Sequence, residues 1–137
     1  MPSEQMKRER LEAFDKKCQE KGFRNTPQKR AIFLAIASSD AHPTAQEIFQ
    51  EVKMAFPSMA FATVYKNLRK FLELEIIREI DLSDGTIRYD ANMEDHHHLI
   101  NLSTGMISDV YCDEEIPIPK SLNGQRLERI SVNYYVS

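Results

Sequence analysis

Four histidines stand in two places in this chain, at His42 and in the run His96-His97-His98. On an extended strand successive side chains alternate in direction, so His96 and His98 share one face and His97 takes the other. Two imidazoles on one face, joined by carboxylates from elsewhere, make a chelate for a divalent first-row metal. Asp90 precedes the run. Asp109 lies on a returning segment from which it can approach His96 or His98, with the register of that hairpin left open. Nitrogen and oxygen donors without a thiolate favour Fe(II), Mn(II) or Zn(II) over softer ions. The competing reading is a polar hairpin edge with a chance histidine run. A tag remnant is disfavoured, because the run is internal and flanked by ordinary strand residues.

The cysteines point away from a thiolate site. Cys18 and Cys112 form no CxxC pair, and a cysteine-built zinc site needs three or four close ligands. Cys18 sits in a helix-like run and reads as a buried thiol.

The elements that must position these groups are legible from punctuation. Ser3 to Lys21 reads as a charged helix with Met6, Leu11, Phe14 and Cys18 on one side, stopped by Gly22. Thr26-Pro27 is a cap followed by proline at the first helical position, and Ala31–Ala37 is the buried body of that helix. Thr44 with Glu47 forms a capping box for a third helix, which ends before Pro57. A fourth helix is expected from near Ser58. Its apolar stripe is Phe61, Val64, Leu68, Phe71 and Leu72; its opposite face carries Met59, Ala62, Lys66 and Arg69, flanked by Thr63, Tyr65 and Lys70. Small residues, a hydroxyl and cations suit close approach to a DNA groove.

A hairpin follows, in which Ile80 and Leu82 lead through Ser83-Asp84-Gly85-Thr86 to Ile87 and Tyr89. Helices and then a hairpin is the winged-helix order, with the last helix in the major groove. Beyond it, His98, Ile100 and Leu102 alternate, Ser103-Thr104-Gly105 turns the chain, and Met106 to Tyr111 returns. Ser121 to Glu128 is expected as a short helix and Ile130 to Val136 as a final strand. So small a sheet cannot bury itself, and dimer formation is the natural solution.

Bulk properties agree. A hydrophobic fraction of 42% argues against disorder. The net charge of −3 divides into +2 over residues 1–89 and −5 over 90–137, suiting phosphate contact in front and cation contact behind. No stretch approaches the roughly 18–20 apolar residues of a membrane span, and MPSEQMKRER lacks a signal-peptide core. A cytoplasmic protein without membrane attachment is expected.

Six segments then converge. Arg24-Asn25-Thr26-Pro27-Gln28-Lys29-Arg30, His42-Pro43-Thr44-Ala45, Ala62-Thr63-Val64-Tyr65-Lys66-Asn67-Leu68, Asp84-Gly85 to Tyr89-Asp90, Asp95-His96-His97-His98 and Gly105-Met106-Ile107-Ser108-Asp109 occur in order from about residue 20 to 111. Together they resemble the ferric uptake regulator superfamily, and within it the peroxide-regulator branch. The expected fold is α+β: an N-terminal winged-helix DNA-binding domain over 1–90, its wing at about 77–90, then a small α/β dimerisation and metal-sensing domain over 91–137.

The resemblance implies a homodimeric repressor that binds a palindromic double-stranded operator when metal-loaded. Its regulatory site maps onto His42, Asp90, His96, His98 and Asp109, with Fe(II) or Mn(II) bound and Zn(II) an alternative ion in isolated protein. DNA contacts map onto Arg24, Thr63, Tyr65, Lys66, Asn67 and Arg69. Many members carry CxxC pairs for a structural zinc. Here the first pair's positions read Asn101 and Thr104 and no second pair follows, so no zinc of that type is expected. Peroxide regulators carry Asp at the position of Asp109, where iron regulators tend to carry Glu. In that branch bound Fe(II) reacts with hydrogen peroxide and oxidises a ligand histidine, matching His42 or His96. The alternative is an iron- or manganese-uptake repressor sensing metal level. A small hydrolase or oxygenase is disfavoured, since no general base beyond the ligands and no phosphate loop is evident. A plain interaction module is the remaining reading. His97, Cys18 and Cys112 are given no role.

Overall fold

Side-chain caps and glycines set where the first helices begin and end. Ser3 accepts a hydrogen bond from the Met6 N–H and opens α1, Glu4–Glu20. At its other end Gly22, at φ 65°, lets Phe23 N–H reach the Cys18 carbonyl and Gly22 N–H reach that of Gln19, a Schellman closure. Thr26 caps α2, Pro27–Ala37, and Thr44 caps α3, Ala45–Ala55. The Thr44 cap departs from the expected reciprocal box: the Glu47 carboxylate accepts from the Thr44 hydroxyl and not from its backbone N–H. The computed structural model describes residues 2–82, 85–112 and 114–137. It divides into units of residues 1–93 and 94–137.

In the first unit α1, α2, α3 and α4, Phe61–Glu73, surround one apolar core. Phe14 of α1 stacks on Phe33 of α2 at 4.4 Å and meets the edge of Phe71 of α4 at 5.4 Å. Val64, Leu68 and Phe71 are fully buried, as their spacing requires. Two expectations for this helix change. It starts at Phe61, because residues 56–59 form a turn closed by Met59 N–H on the Phe56 carbonyl. Met59 therefore lies outside the helix and packs into the core instead of the exposed face. Phe61 is largely exposed, stacked on Tyr65 and edge-on to Phe49.

The wing follows as β1, Arg78–Asp81, antiparallel to β2, Ile87–Asp90, with Glu79 opposite Tyr89. Leu82 N–H donates to the Thr86 carbonyl as the hairpin narrows. Of the expected turn, Ser83 and Asp84 lie outside the described residues. Helices followed by a two-stranded wing make this unit a winged helix.

The second unit is a three-stranded sheet of order β4-β3-β5, with β3 at His97–Asn101, β4 at Ile107–Val110 and β5 at Asn133–Val136. β4 pairs antiparallel and β5 parallel to β3. The β3–β4 turn is fixed by the Asn101 side chain, which accepts from the N–H groups of Ser103 and Thr104, and by Gly105 at φ 76°. The helix expected over 121–128 is not formed. Asn123 and Gly124 both take positive φ, 54° and 76°, and Gln125 N–H closes on the Leu122 carbonyl, the signature of a type I′ turn. No helix among the described residues is long and apolar enough to cross a membrane.

Candidate metal centre

The first unit brings together His42 and Asp90. His42 stands between α2 and α3 at φ 55°, a left-handed conformation uncommon for a residue other than glycine. The wing holds this segment: Tyr89 N–H donates to the Pro43 carbonyl at 3.0 Å, and the Arg88 guanidinium donates to the His42 carbonyl at 3.2 Å. Asp90 ends the same strand. Its Oδ1 accepts from Asn92 N–H, while Oδ2 lies 4.0 Å from His42 Nε2. Both side chains are buried.

The second unit brings together His96, His98 and Asp109. The open register is resolved: His98 pairs directly with Asp109 across β3 and β4. His96 precedes β3 by one residue, yet keeps the shared face, its ring centroid 4.8 Å from that of His98. Asp109 Oδ1 lies 3.4 Å from His96 Nε2 and 3.7 Å from His98 Nε2. His96 Nδ1 sits 2.5 Å from the Glu94 carbonyl. A carbonyl only accepts, so His96 Nδ1 carries a hydrogen and Nε2 is the atom turned toward Asp109. With His98 Nε2 turned to the same carboxylate oxygen, the three atoms form a donor set that a shared cation or proton would satisfy. With only imidazole and carboxylate donors in either group, that cation fits a borderline or hard divalent metal.

His97 faces away, as alternation requires. Its Nδ1 accepts from Val132 N–H at 3.0 Å and its ring meets Tyr134 edge-on, so it serves the β3–β5 junction. Cys18 packs in the core of the first unit, and burial pushes its thiol above the ordinary range. Cys112 is exposed, its Sγ 3.3 Å from the Tyr134 hydroxyl.

Among the DNA-contact candidates, Thr63, Tyr65, Lys66 and Arg69 are exposed on α4, and Arg24 is exposed ahead of α2. Asn67 is half-buried and donates its amide to the Thr63 carbonyl, so it is engaged on its own helix. Arg88 carries no local sequence mark of a role here. The carbonyl it grips lies 46 residues earlier, and no local pattern announces such a contact.

Comparison with known proteins gives a consistent picture. The model of the ferric uptake regulator family matches residues 20–135. The peroxide-responsive repressor PerR of Staphylococcus epidermidis (strain ATCC 12228 / FDA PCI 1200) is 38% identical over 108 residues, covering 74% of this chain and 72% of that protein. The protein of the same name from Staphylococcus aureus (strain Mu50 / ATCC 700699) is 42% identical over 88 residues, 64% of this chain and 60% of that one. Among solved structures, a zinc-bound manganese uptake regulator superposes with a TM-score of 0.66 at 27% identity, covering 88% of this chain and 95% of that chain.

Proposed function

The chain belongs to the ferric uptake regulator family, and we propose that it is a metal-dependent, DNA-binding transcriptional repressor that responds to peroxide. The observation that carries this reading is the second unit's donor set, two imidazoles and a carboxylate converging on one face of β3 and β4. We assign the regulatory ion, Fe(II) or Mn(II), to His42, Asp90, His96, His98 and Asp109. Binding of that ion is proposed to bias the protein toward operator binding, which is what a ligand-driven switch requires. Iron held there would activate hydrogen peroxide, and His42 and His96 would be the oxidisable imidazoles, the net change adding one peroxide oxygen to the ring and releasing water. His96 is held for this by its Nδ1–H on the Glu94 carbonyl.

The DNA-facing surface proposed is α4, with Arg24, Thr63, Tyr65, Lys66, Asn67 and Arg69, on a palindromic operator read by a homodimer. Support for the dimer comes from the second unit, where Leu102 and Met106 in the β3–β4 connection and Tyr134, Tyr135 and Val136 of β5 are exposed beside a sheet with few buried residues of its own. The name of the structural relative, a manganese uptake regulator, favours a second reading in which metal level is the signal. Peptide mass spectrometry after mild peroxide treatment separates the two. Peroxide sensing predicts one added oxygen on His42 or His96 in Fe(II)-loaded protein, none in Mn(II)-loaded protein, and loss of operator binding only in the former. Unmodified histidines with intact binding leave the metal-level repressor.

A further inference from the structure

We infer that Arg88 is a positioning residue for the metal site, holding His42 in the backbone conformation that aims its imidazole toward Asp90. The inference rests on the metal reading above. Two contacts of this side chain and one of its neighbour carry the inference. Its guanidinium donates to the His42 carbonyl at 3.2 Å, and His42 is one of three described residues other than glycine with positive φ. The adjacent residue, Tyr89, ties its N–H to the Pro43 carbonyl, so the wing strand grips two consecutive carbonyls, those of His42 and Pro43. Glu47, near the start of α3, lies 3.8 Å from the same guanidinium and accepts from the Thr44 hydroxyl, joining the grip to the helix cap that follows.

A left-handed residue persists only where its surroundings over-determine it. Without the Arg88 clamp, His42 relaxes toward ordinary φ and its ring turns from Asp90. The wing strand thereby carries one carboxylate of the site in Asp90 and the restraint on one imidazole in Arg88.

The test is Mn(II) affinity of the full chain by titration calorimetry. Arg88→Ala is expected to weaken binding about 10- to 100-fold, the usual loss when a residue orienting a ligand is removed, and Arg88→Lys, which keeps a charged donor, to recover most of it. In a His42→Ala background Arg88→Ala should add less than about twofold, because the group it positions is gone. Equal losses in both backgrounds, or no loss in the wild-type background, overturn the inference. Loss on His42→Ala with none on Arg88→Ala overturns it while leaving the metal reading intact; no loss on either removes both. Helical circular dichroism checks folding, and Arg88→Gln replaces Arg88→Ala in the same cycle, with the same expectation, if the latter fails that check.

Discussion

The first unit closes a core around Phe14, Ile32, Ile36, Ile48, Leu68 and Phe71, all with almost no exposure. The second has Ile100 and Ile107 buried across one strand pair, and gives its other well-covered positions to His96 and His98. Each large apolar side chain buried contributes about 1.5–3 kcal/mol, so the helical unit draws the larger apolar contribution. The sheet has a smaller apolar share, with two imidazoles among its covered positions. On the proposed reading, the unit that meets DNA carries its own apolar core, whereas the unit that senses metal gives covered positions to candidate ligands.

The largest effect expected from that contrast is in the core of the first unit. Phe71→Ala should cost about 3–5 kcal/mol in chemical unfolding followed by helical circular dichroism, because it strips the ring against which Phe14 and Phe23 pack. A loss under about 1 kcal/mol would break the picture of a self-sufficient unit. The second unit makes the opposite prediction. Tyr135→Asp, on an exposed edge strand of its sheet, should convert the proposed dimer to monomer in sedimentation while the helical signal persists. The wild-type chain should stay dimeric in excess chelator, and a monomer there would show that metal assembles the pair.

How much of this was legible in the sequence follows the range of the interactions. The starts of α1, α2 and α3 were readable because Ser3, Thr26 and Thr44 cap helices through bonds only three residues long. The face shared by His96 and His98 follows from strand alternation alone. What failed was local evidence of the wrong kind. Residues 121–128 looked helical, but Asn123-Gly124 prefer the left-handed turn they adopt. Met59, expected on an exposed helix face, lies ahead of α4 and packs into the core. The pairing of His98 with Asp109 and the Arg88 grip on His42 are made across distances that no local pattern encodes.

Smaller effects sharpen the comparison on the surface of the first unit. Lys66→Ala should weaken operator binding by about 1–3 kcal/mol if the side chain meets a base edge, and leave unfolding unchanged, since Lys66 is exposed. Unaltered operator affinity in a triple substitution of Thr63, Tyr65 and Lys66 would remove α4 from the interface. Thr26→Ala should cost about 1 kcal/mol of stability through loss of the cap on Lys29 N–H. Its thermal midpoint should fall by only a few degrees.

The most direct measurement is operator binding by wild-type chain and by Asp109→Ala, on a palindromic site recovered by selection, titrated with Mn(II) and reversed with chelator. The wild type should bind with Mn(II) and release when it is withdrawn. The variant, lacking the carboxylate that faces both His96 and His98, should stay folded and dimeric and fail to respond. Wild-type binding that is indifferent to chelator, or an Asp109→Ala protein that still responds to Mn(II), would contradict the metal-dependent reading.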